Sequence, residues 1–184
     1  FIRMEMGVPG LAPSRIGTEA EIEALKHGVA QFYPMLEGYP VLSEEASRFV
    51  KNFMDVDIRP EGIIPTVGAM QASYVAFMAL TECHKGKDTI LFIDPGFPVQ
   101  KTQLEVIGKP YQTFDIYEYR EEKLEAKLRE YLDRGNIAGI VYSNPNNPSW
   151  VCLTDFELQV IGKLATEYDT IILEDLAYFA MDFR

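Results

Sequence analysis

Apolar positions follow two rhythms along this chain of 184 residues. Short runs that are apolar on successive residues alternate with longer stretches in which apolar residues recur every three or four positions. The first rhythm predicts strands covered on both faces, and the second predicts amphipathic helices. Strands are expected in GIIPTVG (62–68), DTILFIDP (88–95), KPYQTFDI (109–116), IAGIVYS (137–143) and TIILED (170–175). Helices are expected in TEAEIEALKHGVAQF (18–32), PVLSEEASRFVKNFM (40–54), MQASYVAFMAL (70–80), VQKTQLEVIG (99–108), REEKLEAKLREYLDRG (120–135) and TDFELQVIGKLATEYD (154–169).

Several boundaries carry their own chemistry. Thr18 with Glu21, and Thr154 with Glu157, have capping-box spacing. Pro40 opens its helix at a permitted first-turn position, while Gly108 and Gly135 close theirs. Repeated alternation of strand and helix predicts an α/β fold: a doubly wound, mostly parallel sheet with helices on both faces. In such sheets ligands bind beyond the carboxyl ends of the strands.

Composition narrows the partners. An apolar fraction of 47% suits a buried core. A formal net charge of −11 argues against a nucleic-acid partner, whose phosphates need a basic surface. Cys83 and Cys152 suit a reducing compartment, so a cytoplasmic location is expected. With only His27 and His84 besides, no Cys/His cluster has metal-ligand spacing, and no metal is expected. The uncharged stretch from Gly62 to Thr81 is interrupted by Pro65, Thr66, Gly68, Gln71 and Ser73, which argues against a membrane span. The chain begins without an initiator Met and lacks a signal-peptide pattern, so an upstream segment is expected.

Four strand ends carry candidate chemistry. Gly68, Ala69 and Met70 open a helix, where backbone N–H groups can meet an anion. Phe97, between Gly96 and Pro98, can stack on a flat ring. Asn147, in NPNNP, can donate an amide hydrogen bond. Asp175 ends an apolar strand, where a carboxylate needs a cation such as a protonated heterocyclic nitrogen. Each feature has a bland reading by itself: turn, core aromatic, turn Asn, helix cap. Together they describe a pocket with a phosphate cradle, a stacking ring, an amide donor and a carboxylate. Those are the needs of pyridoxal 5′-phosphate (PLP).

At this point the sequence resembles the class I/II aminotransferases of PLP fold type I, over almost its whole length. MEMGVPG, FYPMLEGYPVL, PTVGAMQA, DPGFP, NPNNPSW and EDLAY resemble that family's motifs, in its order. NPNNP and DLAY at this separation are the specific pair. The resemblance implies that Asp175 pairs with the pyridine nitrogen and that Tyr178 and Asn147 hydrogen-bond the phenolic oxygen. It further implies Phe97 on the ring, and Gly68, Ala69 and Met70 at the phosphate. Tyr33 would reach the phosphate of a neighbouring subunit in a homodimer, and Gly7 and Val8 would lie near the substrate. Residues 1–13 would be an N-terminal segment on the substrate side, and residues 14–184 a partial large PLP-binding domain lacking its C-terminal part.

Three departures stand out. Met70 sits where many relatives have a hydroxyl or Lys. Trp150 stands where the family has Gly, with packing as its expected role. No Lys here follows a Ser or Thr three positions back, whereas the family's Schiff-base Lys lies downstream of Asp-x-x-Tyr. The chain therefore reads as a fragment of an enzyme, inactive by itself. The implied function is amino-group transfer from an L-amino acid to a 2-oxo acid. A β-lyase or cyclopropane-carboxylate synthase on the same scaffold shares these motifs, as does the PLP-sensing domain of a transcriptional regulator. Neither G-x-G-x-x-G nor G-x-x-x-x-G-K-[ST] occurs, so both nucleotide fingerprints are absent.

Overall fold

In the computed structural model the two central strands, Thr89–Asp94 and Ile137–Ser143, carry runs of residues too apolar to face water on either side, and helices cover both faces. The model describes Ile2 and residues 10–181. The chain forms two compact units, Phe1–Pro65 and Thr66–Arg184.

The first unit holds helices α1 (Arg15–Lys26) and α2 (Pro40–Met54). Helix α1 starts earlier than its Thr18–Glu21 pair suggests. Ser14 is the N-cap, its Oγ accepting from the Gly17 N–H at 3.4 Å. Thr18 sits inside the first turn and donates back to the Ser14 carbonyl at 3.1 Å. The helix stops at Lys26 rather than reaching Phe32, because Gly28 takes a φ of 79° and the chain turns into a 3-10 segment, Val29–Gln31. Helix α2 begins with Pro40 at its first turn, as expected. The strand expected in GIIPTVG does not form. Pro60–Gly62 is a 3-10 turn, and Pro65 has no N–H to offer a ladder.

The second unit is the doubly wound fold. Its elements are α3 (Gly68–Cys83), β1 (Thr89–Asp94), α4 (Pro98–Ile107), β2 (Tyr111–Asp115), α5 (Glu122–Leu132), β3 (Ile137–Ser143), α6 (Asp155–Glu167) and β4 (Ile171–Asp175). All four strands are parallel, in the order β2-β1-β3-β4.

Alternation along each strand sends side chains to two separate cores. Ile90 and Phe92 of β1, with Ala138 and Val141 of β3, pack against Phe77 and Leu80 of α3 and Leu104 of α4. Leu91 and Ile93, with Ile140 and Tyr142, pack against Leu124 and Leu128 of α5 and Ile161 and Leu164 of α6. Gly139 of β3 is closely packed: an added Cβ would lie 3.1 Å from the Leu80 side chain and 3.3 Å from that of Ile90, so both would have to shift slightly.

Helix α6 shows the capping box that its sequence announces. Thr154 accepts from the Glu157 N–H at 3.2 Å, and Glu157 returns to the Thr154 N–H at 2.9 Å. Thr154→Ala should cost about 1 kcal/mol. A denaturant midpoint unchanged from wild type would show that the cap contributes nothing.

Candidate functional site

The sheet reverses its winding between β1 and β3, and the crevice beyond their carboxyl ends is the expected ligand position. A cleft of about 230 Å³ lies there, within the second unit. Its wall comes from four places in the sequence: Ala69, Met70 and Ser73 of α3, the segment from Phe97 to Gln103, Ser143 and Asn147 after β3, and Asp175, Ala177 and Tyr178 after β4.

Each wall is held by local chemistry. Gly68 opens α3 with a φ of 73°, in the left-handed region that favours glycine. The Gln71 side chain accepts from the Val67 N–H at 2.6 Å and fastens this turn. The first-turn N–H groups of α3 have no partner within the helix, and the helix dipole places partial positive charge there.

Asp94, at the end of β1, accepts from Lys101 at 2.5 Å and from Thr113. Its second oxygen is buried without a partner among the described residues, and a Cβ on Gly96 would sit 3.2 Å from it. This arrangement closes the DPGF turn and sets Phe97 at the N-cap of α4, half-buried on the cleft wall.

The NPNNP loop divides its asparagines by task. Asn144 accepts from the Leu153 N–H at 3.2 Å. Asn146 is buried, donates to the Pro95 carbonyl at 2.6 Å, and accepts from Ser149 Oγ at 2.6 Å. The Asn147 N–H donates to Ser143 Oγ at 3.2 Å, and its side chain lines the cleft. Among the described residues, its amide and the Tyr178 hydroxyl have no intramolecular partner.

Asp175 is half-buried and oriented from two sides. The Ala177 N–H donates to Oδ1 at 3.0 Å, and Gln100 Nε2 donates to Oδ2 at 3.0 Å. Among the described residues, no Lys, Arg or His pairs with it. A carboxylate held this way presents an unneutralised charge to the cleft. One residue before Ser143, the Tyr142 hydroxyl is pushed above its ordinary range by burial and then by the Glu174 charge, so it stays neutral beneath the site.

The cleft thus joins Ala69, Met70, Phe97, Asn147, Asp175 and Tyr178. Gly68 shapes the turn beside them. Tyr33 belongs to the first unit, where it is fully exposed. Gly7 and Val8 lie outside the described residues. Trp150, at a φ of 58°, meets Tyr178 edge-on at 5.3 Å.

Three contributors escape a reading of strand ends: Gln100, Gln103 and Ser73. Gln103 ties α4 to the first turn of α3, accepting from Ser73 Oγ and donating to the Met70 carbonyl, both at 2.8 Å. Their signal is a polar residue on an otherwise buried helix face, as Gln100 and Ser73 are. Among the described residues, no Cys/His/Asp/Glu cluster could hold a metal, and no helix is long and apolar enough to cross a membrane.

Known proteins resemble this chain in sequence and fold. The family described as aminotransferase class I and II matches residues 4–184. An aspartate aminotransferase of Pyrococcus horikoshii is 30% identical over 96% of the chain, which covers 44% of that protein. An asparagine–oxo-acid transaminase of Streptococcus mutans is 23% identical, with the same coverage of both chains. The structure of an alanine aminotransferase from Pyrococcus furiosus superposes with a TM-score of 0.81 at 25% identity, over 95% of this chain and 44% of that one. The chain spans less than half the length of these relatives. The family match runs through both units and the fold is held in common, so this chain belongs to the aminotransferase class I and II family.

Proposed function

We propose that the protein transfers the amino group of an L-amino acid to a 2-oxo acid and that its cleft holds PLP. One observation carries this reading: Asp175, a carboxylate fixed by two donors and lacking a cationic partner among the described residues, faces the same cleft as Phe97, Asn147 and Tyr178. The residues fit the cofactor group by group. Asp175 would meet the protonated pyridine nitrogen. Asn147 and Tyr178, with amide and hydroxyl unengaged, would donate to the phenolic oxygen. Phe97 would cover one ring face. The N–H groups at Ala69 and Met70, opening α3, would hold the phosphate. Met70 brings no polar side chain there, so backbone and dipole carry more of that contact.

When bound, PLP supplies an electron sink for negative charge developing at the amino acid's Cα. The chain's part is to keep that sink effective. Asp175 would hold the positive charge on the ring nitrogen, and Asn147 and Tyr178 would hold the ring through its oxygen. The exposed Tyr33 would serve the phosphate of a neighbouring subunit, which makes a homodimer part of this reading. So are the placement of Gly7 and Val8 near substrate, residues 1–13 as the substrate-side segment, residues 14–184 as a partial PLP-binding domain, and a cytoplasmic location.

The test uses the protein at its natural length, PLP, and a panel of amino acids each paired with a 2-oxo acid. The expected result is one new amino acid formed per 2-oxo acid released, abolished when PLP is stripped. Release of ammonia would assign the scaffold to lyase chemistry. Tight PLP binding with no product from any pair would favour a sensing domain.

A further inference from the structure

Trp150 is the one tryptophan of the chain, and it occupies a backbone position that suits glycine. Its φ of 58° is costly for a bulky L-residue, so its presence needs a contact that only the side chain can make. Burial in the core does not supply one, since the residue is 57% exposed. Its ring meets Tyr178 edge-on, with centroids 5.3 Å apart and planes at 68°. That is a favourable aromatic geometry.

The backbone beneath the indole is well anchored. The Trp150 N–H donates to the Asn146 carbonyl at 2.8 Å, and the Asn146 N–H donates to the Val151 carbonyl at 3.0 Å. Asn146 itself is pinned to the Pro95 carbonyl after β1. Tyr178 has less support of its own. It lies in a turn after β4 closed by Phe179 N–H to Leu176 O at 2.9 Å and Met181 N–H to Tyr178 O at 3.1 Å. Its ring therefore needs a lateral wall to keep the hydroxyl in the cleft.

We propose that Trp150 is a positioning residue: its indole, carried by the same loop as Asn147, holds the Tyr178 ring so that both donors face one ligand oxygen. This rests on the reading that the cleft binds PLP. It assigns a role to the side chain that stands where the family has glycine.

Trp150→Gly tests it, because glycine relieves the left-handed backbone while removing the ring. In the protein at its natural length, Trp150→Gly should melt no lower than wild type yet bind PLP roughly two- to tenfold more weakly, by equilibrium dialysis. Trp150→Phe should restore affinity to within about twofold of wild type. A merely structural residue would not separate stability from affinity in this way. Trp150→Gly binding as tightly as wild type would overturn the positioning role and leave the PLP reading intact. Failure of wild type to bind PLP saturably would overturn that reading and this inference with it.

Discussion

Asp175→Asn should lower turnover by about a hundred- to a thousandfold in the protein at its natural length. The substitution keeps the shape of the side chain and removes its charge. In the structure, Oδ1 takes the Ala177 N–H and Oδ2 takes the Gln100 amide, each at 3.0 Å, so the carboxylate is held without being neutralised. A ring nitrogen facing an amide would lose its proton more readily, and the pull on charge developing at Cα would weaken with it. Gln100→Leu gives the graded comparison. It removes one of the two donors and leaves the charge, and should cost about tenfold. Steady-state turnover at saturating PLP decides the matter. Full turnover by Asp175→Asn would end the counter-ion role for this residue.

The largest effect on stability should come from a group outside the cleft. Glu157 is fully buried at the start of α6. It accepts from Arg120 Nε at 2.5 Å, Arg120 Nη2 at 2.8 Å, the Glu121 N–H at 3.0 Å and the Thr154 N–H at 2.9 Å. Arg120 also donates to the Cys152 carbonyl at 3.1 Å, so the cluster joins the start of α5 to the chain entering α6. Removing one partner strands the other charge in a poorly solvated place. Glu157→Ala should therefore cost about 3–5 kcal/mol and lower Tm by roughly 10 °C. A fall of only a degree or two would mean that Arg120 finds water instead.

The same cluster sets a pH dependence. Burial by itself would raise the Glu157 carboxyl, but Arg120 and the two N–H groups together hold it below its ordinary value of 4.5. A carboxyl lowered in the folded state adds stability that is present above its unfolded value and is lost as pH falls through the folded one. The gap in stability between wild type and Glu157→Ala should thus be widest near neutrality and shrink below pH 4.5. Paired denaturant titrations across that range measure it.

How much of this was legible in the residues differs from element to element, for physical reasons. Strands β1 and β3 are readable because ILFI and IAGIV must be covered on both faces, and only helices on both sides of a parallel sheet do that. The α6 cap is readable because Thr154 and Glu157 act within one turn. The α1 cap is misread because Thr18 and Glu21 offer the same spacing as a real box, and only the backbone shows Ser14 capping first. GIIPTVG looks like a strand by composition, but a strand needs a neighbour to bond, and Pro65 donates nothing.

The cleft divides along the same line. Asn147, Asp175, Phe97 and Tyr178 stand out because strand ends are where a doubly wound sheet displays its chemistry. The sequence by itself determined the fold class, the family and the cleft side chains that follow the strands, since these depend on pattern and residue type. Tertiary structure decided the rest: that Asn146 of NPNNP is a clasp, that Gln100 orients Asp175, and that Trp150 leans on Tyr178. Those facts depend on contacts between residues far apart in the chain, and no local preference encodes a contact whose two halves are joined only by the sheet.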